Sequence, residues 1–213
     1  MKLTVLGKYG PYPAAGGATS SYLVRGENSF IVLDFGSGAL GRLSELANVK
    51  EARAIVLSHL HYDHICDLLP LSYLLKASGV TLDLVMPLTD CPQRKLIEGL
   101  DGFNIVPVCE SMRVGEFTLD FTKMRHTLES YSVRTECCGR SLFYSGDTAF
   151  CDELVHAAEG SDLMLLDCGK AENAAAAHLS AGEAVFLSGT LGIPAIATHL
   201  NPDLKYSISG GKV

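Results

Sequence analysis

The segment His59-Leu60-His61-Tyr62-Asp63-His64 places four metal-binding side chains within six positions. His59 and His61 stand two residues apart, so in an extended segment their rings point to the same side. Asp63 and His64 follow where the chain turns toward a helix, which directs them at a second ion a few ångströms away. Imidazole suits zinc, iron or nickel, and a carboxylate neutralises part of the ionic charge. A solvated polar loop with incidental histidines is the competing reading, and so dense a set argues against it. Four residues do not complete a two-metal site. Each ion needs a further ligand, and the two need a shared oxygen ligand. Of seven histidines in the chain, His126, His156, His178 and His199 remain. Asp147, in Ser145-Gly146-Asp147-Thr148, offers a carboxylate.

Such scattered residues need a scaffold that gathers them. Short runs rich in Val, Ile, Phe and Tyr, bounded by Gly, Pro, Asp or Ser, read as strands. They cover residues 3–6, 22–24, 30–33, 54–57, 82–86, 103–108, 117–121, 141–144, 163–166 and 193–197. Helical patterns lie between several of them. Leu40, Leu43, Leu46 and Ala47 fit one helix face. So do Leu68, Leu71, Leu74 and Leu75, with Asp67 as N-cap and Pro70 in the first turn. Asp90 and Pro92 open a short helix, and Ser180-Ala-Gly-Glu183 is a capping box. Early strands follow almost back to back, and later ones alternate with helices. That order predicts two sheets covered by helices, a four-layer α/β arrangement. Asp34, His59, Asp147 and His199 each come directly after or close behind a strand, and His126 closes the run 117–123. Ligands in α/β folds gather at strand carboxyl ends, so one shared site is expected. His178 precedes the N-cap Ser180 by two residues. His156 falls mid-helix among apolar neighbours and is expected to be structural.

At 213 residues the chain is read as one domain, residues 1–213. The net charge of −7 disfavours broad electrostatic binding of duplex nucleic acid. Seven cysteines in irregular spacing, with no CxxC pair, predict reduced thiols and a cytoplasmic setting. The N-terminus holds no signal-like apolar segment, and no run of apolar residues is long enough to span a membrane.

The motifs together resemble the metallo-β-lactamase-fold hydrolase superfamily, from Met1 to about His199. They are H-x-H-x-D-H after a strand, a lone His, Ser-Gly-Asp-Thr after a strand, and Thr-His after the last strand. Arg125-His126-Thr-Leu-Glu-Ser-Tyr-Ser-Val-Arg134, Phe143-Tyr-Ser-Gly-Asp147-Thr148 and His178-Leu-Ser-Ala-Gly-Glu-Ala184 are similar to the ribonuclease Z-like branch and its small phosphodiesterase relatives. The resemblance implies an αββα sandwich. It implies that His59, His61 and His126 hold one metal, that Asp63, His64 and His199 hold the other, and that Asp147 bridges. Asp34 matches the family's Asp that orients a ligand His through its free N–H. The implied cofactors are two divalent ions, Zn2+ first, with Mn2+, Fe2+ or Ni2+ as alternatives.

Departures narrow the reading. Enzymes of the lactamase class carry a Cys ligand where Asp147 stands, which disfavours antibiotic hydrolysis. Flavodiiron proteins replace the motif's second His with Glu, whereas this chain keeps His61. tRNA-processing members carry a long arm before Ser-Gly-Asp, yet only ten residues separate Arg134 from Ser145, enough for a hairpin turn at Cys137-Cys-Gly139-Arg140. tRNA is therefore disfavoured as a partner. The tail after His199 is shorter than relatives usually carry.

The expected function is a dinuclear metallohydrolase acting on a small anionic phosphodiester, cyclic phosphate or nucleotide. A hydroxide bridging the two ions would attack phosphorus, with Asp63 and Asp147 in the catalytic metal site and His178 as general acid. The alternatives are a lactone or thioester hydrolase and, from a different class, a non-catalytic metal-binding partner or sensor. A homodimer is one open assembly. Asp167 is equally balanced between a group behind the ligands and a helix cap. Arg125 and Arg134 are weaker candidates for a phosphate contact. The Gly16-Gly17 segment reads as a turn, Cys168 as a buried small hydrophobe, and Cys137-Cys138 as a pair with no metal partner.

Overall fold

The computed structural model describes residues 1–206. The apolar runs pair into two six-stranded sheets. The first contains β1 (Lys2–Gly7), β2 (Ser21–Arg25), β3 (Phe30–Leu33), β4 (Ala54–Val56), β5 (Leu82–Met86) and β6 (Phe103–Pro107), in that order. Its first three strands are antiparallel and the rest run parallel. The second contains β7 (Ser111–Val114), β8 (Phe117–Met124), β9 (Ser130–Cys137), β10 (Arg140–Tyr144), β11 (Leu163–Asp167) and β12 (Ala195–Thr198). Here β7 to β10 form an antiparallel meander, and β10, β11 and β12 are parallel.

Parallel neighbours cannot be joined by a tight turn and need a crossover that covers one sheet face. On the first sheet α1 (Ala39–Leu46), the single turn α2 (Tyr62–Ile65), α3 (Leu68–Ser78) and α4 (Pro92–Glu98) lie in these crossovers. On the second, α5 (Asp152–Ala158) and α6 (Ala181–Leu191) do the same. Successive strand residues face opposite ways, so each strand serves two cores. Tyr22, Val24, Ile31 and Leu33 meet Phe117, Leu119, Val133 and Tyr144 between the sheets. The alternate residues Leu23 and Val32 pack with Ile55 against Leu43, Leu71 and Leu75 of the helices. Phe143, Met164 and Leu166 face Leu154 and Leu187 on the other side. The result is the four-layer αββα sandwich. Among the described residues no helix is long and apolar enough to cross a membrane.

Four local expectations need correction. β7 and β9 are absent from the expected strands, because the inward positions of β9 include Ser130, Ser132 and Thr135 rather than aliphatic residues. The last strand starts at Ala195, after Pro194, and runs through Thr198. Asp67 stands at the start of α3 but gives its own helix no side-chain cap. Its carboxylate instead accepts from the Leu40 N–H at 2.8 Å, tying down the first turn of α1. His156 lies on the outer face of α5, exposed, 3.8 Å from Glu159. The capping box is present as read, with Ser180 and Glu183 each accepting from the other's backbone N–H.

Candidate metal centre

The carboxyl ends of β3, β4, β8, β10, β11 and β12 deliver Asp34, His59, His126, Asp147, Asp167 and His199 to one end of the sandwich. Asp34 and His199 take left-handed backbone at φ 53° and 52°, which turns the chain sharply at the strand end. His59 and His61 lie in extended chain before α2, and His59 Nε2 is 2.9 Å from His61 Nδ1. His126 Nε2 lies 3.1 Å from the same His61 atom. Asp63 and His64 sit on the single turn α2 and face the other half of the cluster. There His199 Nε2 is 3.0 Å from Asp63 Oδ2 and 3.1 Å from Asp147 Oδ2. Asp147 Oδ2 is also 3.5 Å from His59 Nε2 and 3.4 Å from His64 Nε2.

Two sets of candidate ligands result. His59, His61, His126 and Asp147 form one, and Asp63, His64 and His199 form the other, with Asp147 Oδ2 within reach of both. A second partition groups Asp147 with Asp167, His178 and His199. Cys151 and Cys168 stay out of all these sets and lie in the apolar layer under α5 and α6.

The donor chemistry fits divalent cations. His64 Nε2 and Asp147 Oδ1 are buried without a hydrogen-bond partner. In His59, His64 and His126 the nitrogen away from the cluster is already engaged, which leaves the inward nitrogen to face a metal. His64 Nδ1 donates to Asp34 at 2.7 Å, and His126 Nδ1 donates to the Ala177 carbonyl at 2.8 Å. Ser58 Oγ donates to Asp34, so it accepts from His59 Nδ1 at 3.0 Å. Burial, then the charge of His64, pushes the His59 imidazole well below its ordinary pKa. Burial raises the Asp147 carboxyl, but His199, His64 and His59 outweigh it and hold Asp147 well below the usual carboxylate range. A buried carboxylate among converging imidazole nitrogens is a donor pattern that a cation would satisfy.

Asp34 is the hub behind this centre. It is fully buried and accepts from the Ser58 N–H, Ser58 Oγ, His64 Nδ1 and the Tyr144 hydroxyl. Tyr144, 110 residues away, falls inside the Phe143–Thr148 motif, but nothing in the sequence pointed it at Asp34.

His178 takes no part in capping α6, because the capping box is complete without it. Its ring stacks on His199 at 4.9 Å and 14°, and its Nδ1 donates to Asp167 Oδ2 at 2.9 Å. Asp167 caps no helix. It accepts from the Thr148 and Gly169 N–H groups, and its other oxygen is 3.6 Å from His199 Nδ1. Burial lowers the His178 pKa, but the hydrogen bond and charge of Asp167, then the charge of Asp147, carry it above the ordinary value. Arg125 pairs with Glu153, and Arg134 pairs with Glu136 and reaches the Gly160 carbonyl. Gly17 closes a turn on Ala14, and Thr19 accepts from the Ser37 N–H, so this segment is architectural. The Cys137-Cys138 pair does meet a partner that sequence reading missed, the carboxylate of Glu116.

Residues 31–200 match the family model described as "Beta-lactamase superfamily domain". The chain belongs to the beta-lactamase superfamily. Within this superfamily it is 28% identical to the probable metallo-hydrolase YhfI of Bacillus subtilis, over 94% of this chain and 87% of that protein. The crystal structure of YhfI superposes with a TM-score of 0.89 at 26% identity, covering 95% of this chain and 87% of that one. Human tRNase Z, short form, shares the superfamily fold at a TM-score of 0.78 and 17% identity, over 95% and 93% of the two chains. A diphosphatase from the PhnP family does so at 0.72 and 20%, over 95% and 87%.

Proposed function

We propose that this chain is a metal-dependent hydrolase that cleaves a small anionic phosphodiester, cyclic phosphate or nucleotide. One observation carries the proposal. A histidine outside the His59–His61–His126 and Asp63–His64–His199 sets, His178, is held beside the shared Asp147 by a buried carboxylate that raises its pKa. Ions bound by those sets, Zn2+ first, would supply Lewis acidity and lower the pKa of a water. The chain's own residues do the rest. Asp34, Ser58 and the Ala177 carbonyl lock the ring orientations of His64, His59 and His126. Asp167 fixes the His178 Nδ1–H, which leaves Nε2 as the atom that gives a proton to the departing oxygen. A phosphodiester with an alkoxide leaving group needs that proton, whereas a thioester leaves as a stable thiolate. The likeness to YhfI, a probable metallo-hydrolase, and to a diphosphatase of the PhnP family supports the reading. β9 and β10 join through the two-residue turn Cys138-Gly139, a short connection that favours a small substrate over tRNA.

The test is a panel of bis(p-nitrophenyl) phosphate, a cyclic nucleotide, a lactone, a glutathione thioester and a chromogenic cephalosporin, run on wild type and His178→Ala. Phosphodiesters should be preferred and the cephalosporin left intact. His178→Ala should keep its metal and lose about 10²–10⁴-fold on the cyclic diester while barely changing with p-nitrophenolate as leaving group. Asp147→Asn should lose metal and both activities. A preference for thioester or lactone, or equal losses with both leaving groups, overturns the reading.

A further inference from the structure

The end of the sandwich away from the histidine cluster holds a second group of metal-binding side chains. β10 runs from Arg140 to Tyr144, and Asp147 follows its carboxyl end. Cys137 and Cys138 lie at its amino end, across the β9–β10 turn, where Cys137 registers with Arg140. Five residues of strand separate the two ends, about 16 Å at 3.3 Å per residue.

Three different stretches build this corner. Glu116 comes from the turn between β7 and β8, Cys137 ends β9, and Cys138 occupies the hairpin turn at φ 57°. The two Sγ atoms are 2.8 Å apart, and one carboxylate oxygen of Glu116 lies within 4.8 Å of both. The three flank a groove of about 510 Å³. Glu116 is held in place from outside the group. Its carboxylate accepts from the N–H groups of Glu27, Asn28 and Ser29 and from Ser29 Oγ. Three of those bonds fall on Oε1 and one on Oε2, so Oε2 keeps an open lone pair.

We propose that Glu116, Cys137 and Cys138 form a binding site for a soft, thiophilic divalent ion, separate from the histidine cluster. Tetrahedral zinc with sulfur at about 2.3 Å and oxygen at about 2.0–2.2 Å needs ligand atoms roughly 3.5–3.8 Å apart. The present group spans those values, and Cys138 is exposed and free to turn its Sγ outward by the remaining ångström. A disulfide between the two is the poorer outcome. Adjacent Cα atoms lie about 3.8 Å apart, below the 4.4–6.8 Å range that disulfides favour. Two thiolates and a carboxylate select a soft cation over magnesium or calcium. The fourth position faces the groove and is left to water or to an outside ligand. Occupation would join the β7–β8 and β9–β10 turns of one sheet and, through the bonds of Glu116, the β2–β3 turn of the other.

Cadmium provides a selective probe. Its sulfur-to-metal charge-transfer absorption in the ultraviolet reports thiolate ligands, and the histidine cluster contains none. The full chain, its histidine cluster first loaded with zinc, is titrated with Cd2+ under reducing conditions. The band should saturate at one Cd2+ per chain and be displaced by excess Zn2+. Cys137→Ser/Cys138→Ser should abolish it without changing phosphodiester hydrolysis, and Glu116→Gln should weaken Cd2+ binding about tenfold or more. Cys109→Ser, the other exposed cysteine, should leave it intact. No band in wild type, or a band that survives the double variant, overturns the proposal. So does a purified chain in which the pair is already oxidised, shown by five free thiols where the seven cysteines require seven.

Discussion

Asp34→Asn isolates the buried hub behind the metal cluster. Asparagine is nearly isosteric with aspartate and tolerates the φ of 53° at this position, so backbone strain does not confound the result. The wild-type carboxylate receives the Ser58 N–H on Oδ1 at 2.7 Å. Its Oδ2 receives Ser58 Oγ at 2.8 Å, His64 Nδ1 at 2.7 Å and the Tyr144 hydroxyl at 2.6 Å. An amide has one oxygen. Placed at the Oδ2 position, it leaves its NH2 facing the Ser58 N–H, donor against donor. An orphaned buried N–H costs about 1–3 kcal/mol, and the other three bonds lose their charge assistance, about half their strength. Relief of the carboxylate's desolvation offsets part of this, for a net cost of about 2–5 kcal/mol. His64 also loses the partner that fixes its ring, which should weaken metal binding about 10–100-fold. Chemical denaturation of the metal-free protein reads the first quantity, and chelator competition on the folded protein reads the second. A variant that unfolds like wild type refutes the accounting of the buried bonds. A destabilised variant with wild-type metal affinity refutes the orientation of His64 by Asp34.

Gly10→Ala places a Cβ 2.0 Å from His199 Nε2, so metal affinity should fall at least about tenfold, whereas Gly41→Ala, in open space on α1, should stabilise by about 0.5–1 kcal/mol in thermal melts. His178 must be protonated to act as an acid, and Asp167 raises its pKa. The rate on an alkyl diester should therefore fall as pH rises through that raised value, and Asp167→Asn should move the falling limb to lower pH in a pH–kcat profile. The Glu116 carboxyl is held down to about 2 by its bonds to Ser29 and Asn28, against an ordinary 4.5. Its contribution to stability is present above about pH 4.5 and is lost as pH falls toward 2. Denaturation curves across that range should flatten in Glu116→Gln.

The clustering of these histidines and aspartates was legible in the sequence because its geometry is largely local. His59 and His61 share a side through the two-residue period of extended chain, and Asp63 and His64 lie within one turn of them. The positions just past strand ends marked Asp34, Asp147 and His199, since an apolar run that stops at a polar residue shows without knowledge of its neighbours. The capping box at Ser180 and Glu183 was likewise complete within four residues. What the tertiary structure alone decided are contacts set by sheet register and loop path. β9 escaped notice because its inward positions carry Ser and Thr, which pack against neighbours yet break the apolar pattern. Asp67 serves α1, 27 residues back, rather than its own helix, and Tyr144 reaches Asp34 across the interface of the two sheets. Asp167 gained its partner only when the loop before α6 folded back over β11, and Glu116 met Cys137 and Cys138 because β8 lies between β7 and β9. No periodicity encodes such meetings. They follow from which strands pair, which is a property of the whole chain's buried surface rather than of any segment.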